Sequence, residues 1–278
     1  MSAGGFCWNL RAAPPFRPRR GIRGLRYGRG WRRLTHVANE RRSGYRPVQF
    51  GVETLDSGIL LPRHRHAGGY ATVVLAGSFE EAGFAGRFVV RPGDVLLHGA
   101  FDCHANRPLT RLPITILRLP WSDNLLEGHF RVPDPDVLAL LAERDPAAAA
   151  AQLRSQLIRR PPAELHWTER LQQTLNRDTC VRLEHWAEAE DLAPETVSRG
   201  FRRAFGVAPK VFRLESRARQ AWNSIRGGTA TLTEVALEFG FSDLPHLTRA
   251  VRALTGSPPS FWQLRSTAGA LARQVHSS

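Results

Sequence analysis

The chain has 278 residues, enough for two modest domains that each bury a core. The formal net charge of +14 favours a nucleic-acid partner. The three cysteines, Cys7, Cys103 and Cys180, form no C-x-x-C pair, which argues against a disulfide framework and against a zinc finger. No signal peptide and no apolar run of the ~18 residues that a membrane span needs is found, so we expect a cytoplasmic protein without a membrane partner.

Residues 1–46 concentrate the positive charge, because they hold twelve arginines and one acidic residue. They are rich in Gly and Pro and lack apolar periodicity, which predicts a disordered Arg-rich extension. The favoured interpretation is an extension without a function, or a start assigned too far upstream. The alternative is a basic arm that adds non-specific phosphate contacts.

Residues 47–133 change to short apolar runs separated by Gly and Pro, a pattern typical of an all-β sandwich or barrel. Gly58 precedes His64-Arg-His66, and a second group, Gly86 and Pro92-Gly93-Asp94, precedes His104. This spacing is similar to the two motifs of a cupin barrel. The resemblance implies a cupin-like β-barrel that serves effector binding or dimerisation.

In metal-binding cupins two His and a Glu of the first motif and a His of the second motif hold the ion. Here His64, His66 and His104 match three positions, and Tyr70 stands at the carboxylate position. We expect His64, His66, Tyr70 and His104 to line an effector pocket and expect no cofactor. A divalent metal on His64, His66 and His104 is the alternative. His98 and Cys103 are interpreted as ordinary core residues.

Residues 134–175 have helical periodicity broken at Pro161-Pro162, and we predict a helical linker whose task is dimerisation. The predicted fold class is therefore α+β and multidomain, with the barrel followed by an all-α domain at 176–268 and a tail at 269–278.

A unit within residues 176–268 is repeated at an offset of 50 residues. The first copy contains Arg199, Arg202, Gly206, Pro209 and Leu214, and the second contains Arg249, Arg252, Gly256, Pro259 and Leu264. In each copy apolar residues at helical spacing leave one polar face open, as a helix that reads DNA bases requires. Thr231 and Glu234 have the form of a capping box, and Ser242 is predicted to cap the next helix.

The repeated region resembles the DNA-binding region of the AraC/XylS family of bacterial transcription regulators. The second copy matches most strongly, through Ala236–Asp243, Leu247–Arg249 and Gly256–Trp262. The resemblance implies two helix-turn-helix modules joined by a long helix at about Pro209 to Ile225. Their recognition helices would enter successive major grooves roughly 34 Å apart.

The resemblance also implies the base readers, which are Glu195, Ser198 and Arg199 in the first module and Leu244, Thr248 and Arg249 in the second. Further DNA-facing residues are Thr196, Arg202, Arg203, His246 and Arg252. Some positions depart from the family: Ala193 replaces a capping Ser, Pro245 and Val251 replace Ser and Phe, and Thr255 replaces an apolar residue. We therefore expect a slightly looser second core.

These observations predict a sequence-specific transcription regulator, not an enzyme, that responds to a small-molecule effector. The expected partners are double-stranded promoter DNA, the effector, RNA polymerase and a second copy of the chain in a homodimer. Activation is the expected effect, with repression as its alternative. The rivals are a metal-dependent cupin enzyme with a helical partner-binding domain, and a non-specific nucleic-acid binder driven by residues 1–46.

Overall fold

The computed structural model describes residues 47–56, 58, 60–122, 126–160, 165–178, 181–228 and 230–265. The predicted disordered extension at 1–46 and the tail at 269–278 lie outside these residues. Within the described part of the chain, no helix is both long and apolar enough to cross a membrane.

The first half of the described chain is rich in β-structure, as predicted. Its strands are β1 (Gly51–Leu55), β2 (Leu61–Arg65), β3 (Tyr70–Ala76), β4 (Phe79–Gly83), β5 (Gly86–Val90), β6 (Asp94–His98), β7 (Cys103–Pro108), β8 (Ile114–Pro120) and β9 (Gly128–Arg131). A short β10 (Ile158–Arg159) follows later in the chain.

The strands form two antiparallel sheets and do not close into the predicted barrel. One sheet has six strands in the order β1-β8-β3-β6-β9-β10, and the other has four in the order β2-β7-β4-β5. The predicted two-part α+β organisation is confirmed, whereas the architecture of the β part is a pair of packed sheets.

Strand alternation divides the six-stranded sheet into two buried faces. On β3, Ala71 and Val73 pack against the helices that follow, while Tyr70, Thr72 and Val74 alternate with them. Val74 belongs to a second apolar cluster that includes residues of both sheets. The inner face of the sheet pair is thus filled by apolar residues at one end and polar residues at the other.

Helices begin after the ninth strand: α1 (Pro135–Arg144), α2 (Pro146–Gln156), α3 (Trp167–Arg177), α4 (Leu183–Ala189), α5 (Pro194–Phe205), α6 (Pro209–Gly227), α7 (Leu232–Glu238) and α8 (Leu244–Thr255). Asp134 and Asp145 cap the first two helices with their carboxylates. Both α1 and α2 pack on the six-stranded sheet through Leu138 and Leu153.

The largest apolar cluster joins the helices α3 to α8 to one end of the four-stranded sheet. Phe84, between β4 and β5, packs edge-to-face on Phe212 with ring centroids 5.3 Å apart. Phe101, in the turn before β7, meets the ring of Trp222 at 4.7 Å. Two aromatic side chains from turns of the β part therefore enter the core of the helical part.

Candidate DNA interface and histidine cavity

The first helix-turn-helix consists of α4 and α5, and its second helix begins without a side-chain cap. Ala193 precedes Pro194 and makes no capping hydrogen bond, as the departure from the family pattern predicts. Gly206 ends the helix with a φ of 77°, the left-handed conformation that glycine adopts without strain. The predicted limits of this helix agree with the structure.

Helix α5 separates an apolar face from a polar one. Val197, Phe201 and Phe205 are buried at four-residue spacing and pack into the helical core. The opposite face leaves all six residues that the sequence assigns to DNA exposed, namely Glu195, Thr196, Ser198, Arg199, Arg202 and Arg203. This face is available for a nucleic acid.

The second module consists of α7 and α8, and its first helix begins with the predicted capping box. The Thr231 hydroxyl accepts from the Glu234 amide, and the Glu234 carboxylate accepts from the Thr231 amide. The prediction of Ser242 as the next cap is wrong. Asp243 is the cap, because its carboxylate accepts from the His246 amide at 2.6 Å.

The DNA-facing residues predicted on α8 are unequally exposed. Leu244, Arg249 and Arg252 are exposed, whereas His246 and Thr248 are half-buried. The His246 ring lies edge-on to Phe241 at 5.1 Å and its Nδ1 is 3.2 Å from the Ser242 hydroxyl. His246 thus has contacts within its own module, and the other residues form the more accessible part of this face.

Thr255, which stands where the family has an apolar residue, is hydrogen-bonded within the second core. Its buried hydroxyl lies 2.8 Å from the Val251 carbonyl and 2.9 Å from the Ser257 carbonyl. It also accepts a hydrogen bond from Trp262 Nε1 at 2.9 Å. The hydroxyl therefore satisfies an indole donor that an apolar residue would leave without this acceptor.

Strand β2 contacts the carboxyl-terminal ends of both recognition helices. Arg63 Nη1 donates to the carbonyl of Phe205, the last residue of α5, at 3.4 Å. Arg65 Nη2 donates to the carbonyl of Ala253 in the last turn of α8 at 2.6 Å. The last carbonyls of a helix have no partner within it and carry partial negative charge, so a guanidinium stabilises both ends.

The contact of Arg63 is reinforced by further partners. Its Nε donates to the Glu215 carboxylate at 2.8 Å, and its guanidinium lies over the rings of Phe84 and Phe212 at 5.2 and 5.1 Å. Arg219 of α6 makes a second polar contact between the β part and the helices, because it donates to the Ala100 carbonyl at 2.9 Å and to both oxygens of Glu127.

A cavity with an empty volume of about 550 Å³ lies between the two sheets. Its lining consists of a group of apolar side chains, here called the apolar wall, and a group of polar side chains, here called the polar wall. The apolar residues are Leu55, Leu61, Phe79, Pro108, Ile114 and Ile116, and the polar residues are Asp56, His64, Tyr70, Thr72, Glu81, His104, Asn106 and Arg118. Three of the four residues predicted for an effector pocket line it, whereas His66 is buried and is not among the lining residues.

The predicted histidines come together at the polar wall. Register pairs His64 of β2 with His104 of β7, and the two rings lie 4.5 Å apart. His64, His66 and His104 each offer a donor atom within 4.8 Å of the others, so the three imidazoles are arranged as a metal site requires. Tyr70, which stands at the family's carboxylate position, places its hydroxyl 3.2 Å from His104 Nε2.

Sequence reasoning missed the acidic residues of this region and assigned His98 to the ordinary core. Register places His98 beside Tyr70, and its Nδ1 lies 2.9 Å from the Asp102 carboxylate. Glu81 of β4 lies 3.8 Å from His98 Nε2. Asp102, two residues before His104 and four after His98, was the available signal. Glu81 thus places a carboxylate beside this histidine cluster.

The pKa values of the two missed carboxylates shift in opposite directions. Burial raises the pKa of Glu81 to about 7, although His104 and the Asn106 amide oppose that rise. Burial also acts to raise the pKa of Asp102, but hydrogen bonds from His104 and His98 outweigh it and hold that pKa well below its usual range. Burial raises the pKa of the Cys103 thiol to about 12, which disfavours the reactive thiolate form.

The comparisons with known proteins identify the helical part. Residues 186–265 match the family model of a helix-turn-helix domain, of the AraC type. No match is found among curated proteins.

Several solved structures are similar to the chain. ToxT from Vibrio cholerae is 10% identical with a TM-score of 0.38, over 78% of this chain and 97% of that one. A probable AraC family transcriptional regulator from Rhodopseudomonas palustris is 25% identical with a TM-score of 0.32, over 36% and 93%. The C-terminal domain of AraT from Geobacillus stearothermophilus is 18% identical with a TM-score of 0.34, over 37% and 88%.

Proposed function

Residues 186–265 form a helix-turn-helix domain of the AraC type, and from this premise we propose that the chain regulates transcription by binding promoter DNA at two sites. The supporting observation is the pair of exposed arginines at equivalent positions, Arg199 on α5 and Arg249 on α8. A guanidinium can donate two hydrogen bonds to the O6 and N7 atoms of guanine, so each arginine is suited to read a base.

The remaining residues predicted to face DNA divide by the chemistry that they offer. Glu195 and Ser198 on α5 and Thr248 on α8 offer hydrogen-bonding groups to base edges, while Leu244 offers apolar contact to a thymine methyl. The residues proposed for phosphate contacts are Arg202, Arg203 and Arg252, with Thr196 and His246 beside them. Phosphate contacts fix the register of the protein, and base contacts supply the specificity.

We further propose that the cavity between the sheets binds a small-molecule effector. Its lining combines apolar side chains with a few convergent polar groups, as the lining of small-molecule sites does. An effector with an apolar body would pack on the apolar wall, and a polar end would hydrogen-bond His64, His104 and Tyr70. Arg118, which pairs with Glu53, adds a positive group to the same wall.

Strand β2 offers a direct route from the cavity to the DNA-reading helices. His64 lines the cavity, while its neighbours Arg63 and Arg65 bind the ends of α5 and α8. A displacement of β2 on effector binding would change both contacts together, because the three residues are consecutive. The effector would then shift the population of domain arrangements and so the affinity for paired DNA sites.

We also propose that the chain forms a homodimer and that it contacts RNA polymerase. Val137 and Leu140 on α1 are exposed apolar side chains, 44% and 48% accessible, one helical turn apart. A second copy of the chain would bury them, as the predicted dimerisation role of this segment requires. Light scattering of the wild type and of a Val137→Glu, Leu140→Glu variant tests it; a wild-type monomer would overturn it.

Footprinting tests the proposed function. The wild type, on duplexes that it selects from a random pool, should protect two major-groove patches about one helical turn apart. A chain lacking residues 1–46 should retain most of the specific affinity, since the base readers lie elsewhere. Loss of all binding on that deletion would instead favour a non-specific binder driven by the Arg-rich extension.

A further inference from the structure

A second group of possible metal ligands lies beside the three histidines of the first and second motifs. Glu81 of β4, His98 of β6 and His104 of β7 are all buried and come from both sheets. One donor atom from each lies within 4.8 Å of the others. Two imidazoles and one carboxylate form a ligand set that binds zinc in proteins. We propose that Glu81, His98 and His104 bind a divalent cation of the Zn²⁺ type.

The Asp102 carboxylate hydrogen-bonds His98 and lies close to His104, behind both rings of the proposed site. One oxygen of this carboxylate lies 2.9 Å from His98 Nδ1 and 3.5 Å from His104 Nδ1. When Nδ1 carries the proton that Asp102 accepts, Nε2 keeps the lone pair with which a metal is bound. A carboxylate behind each ligating imidazole is the usual arrangement around zinc, where it fixes the tautomer and the ring orientation.

The distance between the donor atoms of His98 and Glu81 suits two ligands of one metal ion better than a direct hydrogen bond. His98 Nε2 and Glu81 Oε1 are 3.8 Å apart, which is too long for a hydrogen bond. Ligands bound tetrahedrally at 2.0–2.1 Å stand about 3.4 Å from each other, so a small inward shift places both on one ion. Tyr70, whose hydroxyl is 3.2 Å from His104 Nε2, lies within reach of the fourth position.

The proposed ion would be accessible from the effector cavity. Glu81 and His104, two of its three ligands, line the cavity between the sheets. The site therefore has an entry path, as a metal centre needs. The set of His64, His66 and His104 shares one ligand with the proposed site, so the two are distinguished by the residues that they do not share.

The experiment measures Zn²⁺ binding by the full chain after treatment with a chelator. Competition with a chromophoric chelator gives the affinity, and Co²⁺ substitution gives a visible spectrum that reports ligand geometry. The wild type should bind one equivalent. Glu81→Gln and His98→Gln should each lose more than tenfold in affinity, and Asp102→Asn, which acts through the histidines, should lose about 10–100-fold.

The matched control is His66→Gln, which should keep the wild-type affinity. Loss of the ion in His66→Gln together with its retention in Glu81→Gln and His98→Gln would overturn the proposal in favour of the three-histidine set. A wild type that binds no Zn²⁺ and gives no tetrahedral Co²⁺ spectrum would overturn it in favour of a metal-free ion-pair network. Circular dichroism confirms that each variant is folded, and the wild-type Co²⁺ spectrum tests the site without any substitution.

Discussion

The first module is held together by aromatic packing, whereas the second relies on caps and side-chain hydrogen bonds. Phe201 stacks on Phe205 at 4.6 Å and meets Phe212 at 5.3 Å, while its counterpart in the second module is the smaller Val251. The second module has Asp243 and a capping box where the first helix-turn-helix has no side-chain cap.

The space available beside α5 and α8 also differs. Gly200 of α5 faces Trp167 of α3, where a Cβ would lie 2.5 Å from the indole, and its counterpart Ala250 tolerates a side chain. The comparison of the two modules indicates that the same helix-turn-helix backbone can be stabilised by buried apolar side chains or by polar groups. Both helices nevertheless leave exposed arginines on their open face, namely Arg199, Arg202 and Arg203 on α5 and Arg249 and Arg252 on α8.

The largest difference is expected from removing the central buried side chain of each recognition helix. Phe201→Ala should lower the free energy of unfolding by about 3–5 kcal/mol, since it removes a fully buried ring from the aromatic cluster. Val251→Ala should cost only roughly 2 kcal/mol, because fewer methyl groups leave the core. Urea denaturation measures both, and equal losses would remove the proposed contrast in packing.

The next largest loss of stability is expected from removing the Thr255 hydroxyl. Thr255→Val should destabilise the chain by about 1–3 kcal/mol, because it takes from Trp262 Nε1 its hydrogen-bond acceptor. Thr255→Ser keeps the hydroxyl and serves as the control in the same thermal unfolding experiment. A Val variant as stable as the wild type would mean that the polar network contributes nothing.

Substitutions at the helix caps should change the stability in opposite directions in the two modules. Asp243→Ala removes the cap of α8 and should cost about 1 kcal/mol, whereas Ala193→Ser should add a cap to α5 and stabilise it by a similar amount. Chemical denaturation measures the pair. Loss of stability in Ala193→Ser would show that the uncapped end has another partner.

The smallest expected difference between the two modules is in the salt dependence that their proposed phosphate contacts contribute. Arg202→Ala and Arg203→Ala in the first module should each reduce the slope of log affinity against log salt by about 0.9, as should Arg252→Ala in the second. Because two such arginines lie on α5 and one on α8, the first module should contribute more to the salt dependence. Titrations of a selected duplex at several salt concentrations measure this, and an equal contribution from the modules would contradict it.

The local features of the helices were predictable from the sequence, because their causes lie within a few residues. The apolar stripe of Val197, Phe201 and Phe205, the turn at Gly206 and the capping box at Thr231 are all short-range patterns. The cap at Asp243 was missed in favour of Ser242, since both residue types are good caps and they are adjacent.

The long-range contacts were not predictable, because each joins residues far apart in the chain. Arg63 meets Phe205 and Arg65 meets Ala253 across 142 and 188 residues, and no local pattern records such pairs. Glu81 reaches the histidines only through the pairing of β4 with β7. The histidine cluster was found from motif spacing, whereas the position of Glu81 beside it depends on sheet register.

The most direct test of the account is the affinity of an Arg199→Ala, Arg249→Ala double variant for a duplex selected by the wild type. Each arginine should contribute about 1–3 kcal/mol of base discrimination, so the double variant should lose both affinity and sequence preference. Arg144→Ala, which removes one positive charge from an exposed position on α1, should bind as the wild type does. Unchanged affinity and preference in the double variant would contradict the assignment of these two helices as the DNA-reading elements.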